Sequence, residues 1–389
     1  MKIKLEKRAK VAFTEMFTKA VIMARKTKDA AILNNVYLMA ASQKEQIHII
    51  SSTRDEYLHQ CLDLNRFNDE FTIEEDGSCV MPVEFDILAK KFGGKSIKIE
   101  ASEDTKVKIS SGSSKIDLIC MKAADYPLRK LSQPDLRVKI DTEVFKNMIN
   151  RAAFSASDND TRPVLKGVQF AAINNELSVI GTDSYRVSMI TCEFDTKQID
   201  KDLNIVLPAA LIREACKKYL NSDQIELQIS SNDNKVTIFT GNTVYQVTLL
   251  VDNFPEVKKL VPNEFNQIFR IGRDDLINAI ELLNPLINEA SNYSKGTIKI
   301  VFKKSSTLIS TPSTELGSGS IKLESSVMEG VLEEDIEVWL SAKYLLDILK
   351  LGLHSRHATI KFIDSLKPVV LDEEPYNQCK FIVLPVRKR

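Results

Sequence analysis

One plan recurs three times along this 389-residue chain, at a spacing that belongs to domains rather than to solenoid repeats. The stretches CVMPVEFDILAKKF (79–92), NIVLPAALIREACKKYL (204–220) and EVWLSAKYLLDILKLGL (337–353) each run from an apolar strand, through Pro or Ser, into an amphipathic helix. Met81, Leu207 and Leu340 occupy equivalent places. Pro82 and Pro208 are placed in the first helical turn, where a missing N–H costs nothing.

A second unit precedes each of these. MKIKLEK, LRVKIDT and FRIGRDD read as short strands that lead into helices over AFTEMFTKAVIMA, EVFKNMINRAAFSA and LINAIELLNPLINEA. Apolar residues at i, i+3 and i+4 mark the helical faces: Val144, Met148 and Ile149 in the second copy, Leu276, Ile280 and Leu283 in the third. Asp141 and Asp274 are expected as N-caps. The first two copies close on an alternating strand and an aromatic-Pro turn, Tyr126-Pro127 and Phe254-Pro255, which read as linkers. The reading is α+β: three repeated domains, 1–131, 132–262 and 263–389, each with two helices on antiparallel sheets.

Composition narrows the function. With 43% apolar and 27% charged residues, the chain is an ordinary globular one. Its N-terminal MKIKLEKRAK lacks the apolar core of a secretory signal, and no apolar run is long enough to span a membrane, so a cytoplasmic location is expected. Six cysteines are scattered without a CxxC pair and read as buried thiols. The 13 glycines build no phosphate cradle, since Ala89 stands where FGGKS would need its first P-loop glycine.

Net charge is zero, but the bases are unevenly placed. Residues 7–28 carry Lys7, Arg8, Lys10, Lys19, Arg25, Lys26 and Lys28 against Glu15 alone. Lys90 and Lys91, Arg213 and Lys217, and Lys343 sit on the second helix of each repeat. Equivalent basic helices suit a phosphate backbone tracked without sequence readout. Few aromatics interleave with them, which favours duplex over single-strand stacking. Helix-terminal bases also arise simply from the helix dipole.

No cofactor or metal site is expected. The histidines of HSRH, His354 and His357, have no cysteine or acid pair beside them. The chemistry-rich run is GTDSYR, Gly181 to Arg186. A hydrolase built on Asp183 with Ser184 or Tyr185 would need a His or Lys partner, and none is local. A peptide-binding scaffold that ignores DNA is the other alternative.

AFSASDNDTRPVLKGVQF (153–170), GTDSYRVSM, DNFPEVKKLVP (252–262) and the terminal FIVLPVR together resemble the bacterial DNA polymerase III beta subunit family, the sliding clamps. The resemblance implies a non-catalytic processivity factor. Two crescents would close head to tail into a homodimeric ring of six domains around double-stranded DNA. Partners would be the replicative polymerase alpha subunit, the clamp loader and other proteins with clamp-binding motifs. It also implies a peptide pocket of Leu165, Thr182, Ser184, Tyr185, Arg186, Val187, Pro255, Lys259, Leu260, Pro368, Ile382, Leu384, Pro385, Val386 and Arg387. Arg25, Lys26, Lys90, Lys91, Asn159, Arg162, Arg213, Lys217 and Lys343 would face DNA. Ile116 and Leu118, on an edge strand, would meet Leu286 and Ile287 across the ring interface. Ser184 and Tyr185 stand where relatives often carry Gly and His, so that part of the pocket is expected to be reshaped.

Overall fold

The computed structural model describes the chain except residues 28–29, 93, 104, 263, 295, 314, 331–333, 374–377 and 387–389; the side chains of 102–103, 198 and 288–294 are likewise not described. Among the described residues, six α-helices fall where the repeats place them: α1 (Lys7–Ala24), α2 (Phe85–Lys91), α3 (Thr142–Ala153), α4 (Ala209–Lys218), α5 (Arg273–Ser294) and α6 (Ala342–Asp347). In α1 the buried positions Phe13, Phe17, Ala20, Val21 and Ala24 follow helical spacing. The Phe17 and Phe85 rings meet edge to face at 5.0 Å, joining α1 to α2.

Two details of the sequence reading change. Pro82 and Pro208 are the last residues of strands Gly77–Pro82 and Leu203–Pro208, so each proline ends a strand rather than starting a helix. Asp274 lies inside the first turn of α5, where its carboxylate accepts the Arg273 Nε–H at 3.1 Å instead of capping the helix.

The chain divides into two compact units. The first holds residues 1–143 and 214–249, and the second holds 144–213 and 250–389. The middle repeat is thus shared between them.

The first unit contains two sheets. One has five strands in the order Phe71–Glu75, Lys2–Glu6, Ser96–Glu103, Lys106–Ser111 and Ser114–Ile119. The other has eight: Leu136–Asp141, Gln224–Ser230, Lys235–Thr240, Thr243–Thr248, Glu56–Asp63, Gln46–Ser52, Asn35–Ala41 and Gly77–Pro82. Strand Thr243–Thr248 of the middle repeat pairs directly with Glu56–Asp63 of the first, Tyr245 opposite Leu58.

The second unit is built on one sheet of twelve strands. Leu203–Pro208, Gly167–Ile173, Glu176–Thr182 and Arg186–Glu193 come first. Cys379–Val383, Val369–Asp372, His357–Phe362 and Gln267–Gly272 follow, and Ser320–Glu329, Ser306–Ser310, Thr297–Phe302 and Ile336–Ser341 complete it. The join between the middle and last repeats is the antiparallel pair of Arg186–Glu193 with Cys379–Val383. Both linker aromatics are anchored. Tyr126 is buried among Tyr37, Ile50, Tyr57 and Val80, and Phe254 packs against the core of the second unit. Among the described residues, no helix is long and apolar enough to cross a membrane.

Candidate peptide pocket and charged surfaces

The run Gly181 to Arg186 is a tight connection between two neighbouring strands of the second unit, and its side chains hold it shut. Asp183 Oδ1 accepts the backbone N–H groups of Tyr185 (2.9 Å) and Arg186 (3.0 Å). Thr182 Oγ1 accepts from the Ser184 N–H at 3.2 Å and donates to the Arg186 carbonyl at 2.7 Å. These are the short-range bonds that make Asp and Thr turn residues. Ser184 takes the left-handed region, φ 77°. Gly181 is required for packing: a Cβ there would collide with the carbonyl of Ala152 at the end of α3.

Arg186 is the centre of the cluster and is only 5% exposed. Its Nε donates to Asp183 Oδ2 (3.0 Å), Nη1 to Asp347 Oδ2 on α6 (2.6 Å) and Nη2 to the Phe154 carbonyl (2.8 Å). The guanidinium lies 4.5 Å from the Tyr344 ring centre. Burial, and then the Asp183 charge, raise the Tyr344 phenol above its ordinary pKa. Both oxygens of Asp183 are occupied by donors, so its chemistry is that of a brace.

Beside this turn opens a cavity of about 270 Å³. Of the expected pocket residues, the structure brings together Thr182, Ser184, Tyr185, Arg186, Val187, Pro255, Leu260, Pro368, Ile382 and Leu384. The sheet explains how: Val187 lies opposite Ile382, and the Leu384 N–H donates to the Tyr185 carbonyl at 2.9 Å. Val187 and Ile382 are buried with Ile180, Met189, Val257 and Val370, which gives the cavity a firm apolar floor. Leu260, Leu384 and Tyr185 stay exposed at the mouth, Tyr185 by 62%. The volume lies at the small end for ligand clefts and fits one or two aliphatic side chains.

Other expected members stand elsewhere. Leu165 is buried in a separate cluster with Val164 and Val206, and Phe254 touches both clusters. Lys259 is exposed and paired with Glu256. Pro385 and Val386 lie past the cavity, where the Val386 N–H donates to the Trp339 carbonyl at 2.8 Å. Arg387 lies outside the described residues. Two lining residues were not assigned to the pocket from sequence. Val257 is hidden in a polar-looking linker, two residues past Pro255. Arg162 was assigned to DNA.

The basic residues differ in what holds them. Arg25 at the end of α1, Lys91 on α2 and Lys217 on α4 are exposed. Lys343 is exposed on α6 and lies 3.4 Å from Asp347. Lys90 bonds Asp86 at 2.8 Å one turn back. Arg213 is half-buried on α4, its Nε enclosed without a hydrogen-bond acceptor. Asn159 closes its own loop by accepting from the Thr161 N–H (3.0 Å) and hydroxyl (2.7 Å). Lys26 departs furthest from a phosphate-facing side chain. Its Nζ is bound between Glu56 (2.9 Å) and Glu214 (2.6 Å), and Glu56 is 2% exposed and also accepts the Tyr245 hydroxyl at 2.9 Å.

Strand Ser114–Ile119 is an edge of the five-stranded sheet, with Ile116 and Leu118 half-buried and Ile119 exposed. On α5, Leu286 is half-buried, but Ile287 is 3% exposed and belongs to the core. Its neighbour one turn before Leu286, Leu282, is 74% exposed, so among the described side chains of this helix Leu282 and Leu286 form an outward apolar pair.

Two family models match the chain: the DNA polymerase III beta subunit central domain over residues 139–256 and its C-terminal domain over 258–387. The beta sliding clamp of Staphylococcus epidermidis is 27% identical over 316 residues, 81% of either chain. That of Staphylococcus aureus is 26% identical over 320 residues, 82% of either chain. Among solved structures, the DNA polymerase III beta chain of Streptococcus pneumoniae superimposes with a TM-score of 0.91 at 23% identity, and the sliding clamp of Bacillus subtilis with 0.88 at 24%, each over 100% of both chains. With the repeats, the antiparallel sheets and the turn-and-strand pocket in place, these matches settle the lineage: the chain belongs to the DNA polymerase III beta subunit family.

Proposed function

We propose that this protein is a DNA polymerase processivity clamp. Two copies close head to tail into a ring around duplex DNA, and each carries a pocket that tethers the replicative polymerase, the clamp loader and other proteins bearing short linear motifs. The role is non-catalytic. The observation that carries the reading is the pocket itself. The GTDSYR turn, the linker at Pro255–Leu260 and the stretch from Ile382 to Leu384 at the end of strand Cys379–Val383 converge on one apolar cavity, in a chain of this family. A small socket with a rigid floor and an open mouth suits an extended peptide anchored by aliphatic side chains. In this reading the chain is three clamp domains, 1–131, 132–262 and 263–389.

Exposed Arg25, Lys91, Lys217 and Lys343, with Lys90, Asn159, Arg162 and Arg213, are assigned to the DNA-facing set. Lys26 is withdrawn from it because its charge is already matched. Loose phosphate contact lets a ring slide where base-specific contact would hold it. The ring interface is assigned to Ile116 and Leu118 on the edge strand, facing Leu282 and Leu286 on α5 of the other copy.

The decisive experiment compares circular nicked DNA with the same DNA linearised, after loading. Retention on the circle and release from the linear form is the expected outcome; equal release from both sinks the clamp reading. For the pocket, Leu384→Asp is expected to weaken binding of a polymerase-tail peptide at least tenfold while native mass still reports the dimer. An unchanged affinity would remove the pocket assignment without touching the ring.

A further inference from the structure

His48 and His59 form a facing pair that the clamp reading leaves unused. They sit on adjacent antiparallel strands of the eight-stranded sheet, Gln46–Ser52 and Glu56–Asp63. In register, His48 lies opposite Cys61 and His59 opposite Ile50, so the two histidines are diagonal neighbours on one face. Their rings do not stack flat. The centroids are 5.1 Å apart at 42°, and Nδ1 of His48 points at Nε2 of His59 across 2.9 Å. Both side chains are half-buried, so their rotamers are restrained while water still reaches the pair.

We propose that His48 and His59 form a two-imidazole chelate for a borderline divalent transition metal ion, of the class of Zn²⁺, Ni²⁺ and Cu²⁺. Imidazole nitrogen bonds such ions at about 2.0–2.1 Å. A tetrahedral angle between two such bonds needs nitrogens about 3.3 Å apart, a few tenths of an ångström beyond the present 2.9 Å. The pair therefore needs little rearrangement: the ring that donates the shared hydrogen moves its N–H to the outward nitrogen by a tautomer shift, both neutral rings then turn a lone pair inward, and the metal takes the place of the shared hydrogen. Among the described residues, no group of three His, Cys, Asp or Glu side chains is arranged to enclose a metal. The site is accordingly open, with two protein ligands and the remaining positions held by water. Such a site binds reversibly and bridges two strands of the sheet.

Titration of the full-length protein at pH 7.5 with ZnCl₂, and separately with NiCl₂, tests this. One ion per chain is expected, with at least tenfold weaker binding in His48→Gln and in His59→Gln and unchanged binding in Cys61→Ser. Footprinting of the wild-type protein with diethylpyrocarbonate, an imidazole acylating agent, requires no variant: Zn²⁺ is expected to protect His48 and His59 but not His357. Binding that persists in both histidine variants, that depends on Cys61, or that gives no protection of the pair would overturn the proposal.

Discussion

Replacing Arg186 with alanine is expected to destabilise the second unit by about 3–5 kcal/mol, the usual cost of removing one partner from a buried ion pair. The guanidinium is 5% exposed and bonds three separate groups: Asp183 on its own turn, Asp347 on α6 and the Phe154 carbonyl just past α3. Without it, Asp183 loses its counter-charge, Asp347 keeps only the longer contact to Lys343, and a buried carbonyl loses its donor. Thermal unfolding of the variant should begin roughly 6–20 °C lower, given a few degrees per kcal/mol for units of this size. Arg186→Lys is expected to recover little, because one ammonium cannot reach three directions with a planar fork's geometry. The same loss should reach the pocket, since the Arg186 carbonyl and the adjacent Tyr185 carbonyl fix Thr182 and Leu384. A variant that melts like the wild type would show that the cluster contributes only geometry.

The second large effect belongs to Lys26. Lys26→Met is expected to cost the first unit about 3–5 kcal/mol, because Glu56 would keep its charge in a place water does not reach. The double variant Lys26→Met, Glu56→Gln should recover much of that loss. The remaining Tyr245 hydroxyl at 2.9 Å can still bond an amide oxygen at position 56. This cycle separates two roles for one lysine. A phosphate contact would leave the melting curve alone and lower the salt slope of DNA binding. An internal bridge does the reverse. Equal stability of the single variant and the wild type would return Lys26 to the DNA-facing set.

How much of this was legible in the sequence depends on the range of the interaction. The longer helices came through because apolar spacing runs over several turns, as Phe13, Phe17, Ala20 and Ala24 do in α1, while the short α2 and α6 were marked by the recurring strand-then-helix plan. The residues around the cavity, expected from the resemblance, meet where strand register carries them: with Val187 opposite Ile382, Leu384 lies beside Tyr185. Leu165 did not join them, because an aliphatic residue gives no sign of which of two adjacent clusters it enters. Lys26 and Ile287 were misplaced for one reason. Each has the character of a surface or interface residue in its local stretch, and each finds its partners or its cover in distant segments. Val257 was missed because a linker rich in lysine conceals a single inward side chain.

The way the sheets draw on distant segments also sets a timetable for synthesis. Residues 1–143 cannot complete their eight-stranded sheet until Thr243–Thr248 has been made, because that strand covers Glu56–Asp63. Arg186–Glu193 waits longer, since its second neighbour, Cys379–Val383, is made only after the rest of the middle repeat and most of the last. During that interval a strand of Val, Met and Ile leaves the ribosome with one flank unpaired. The nascent chain is therefore most in need of a chaperone while the last repeat is being translated, and a stalled ribosome in that window would release a sheet edge ready to pair with its neighbours.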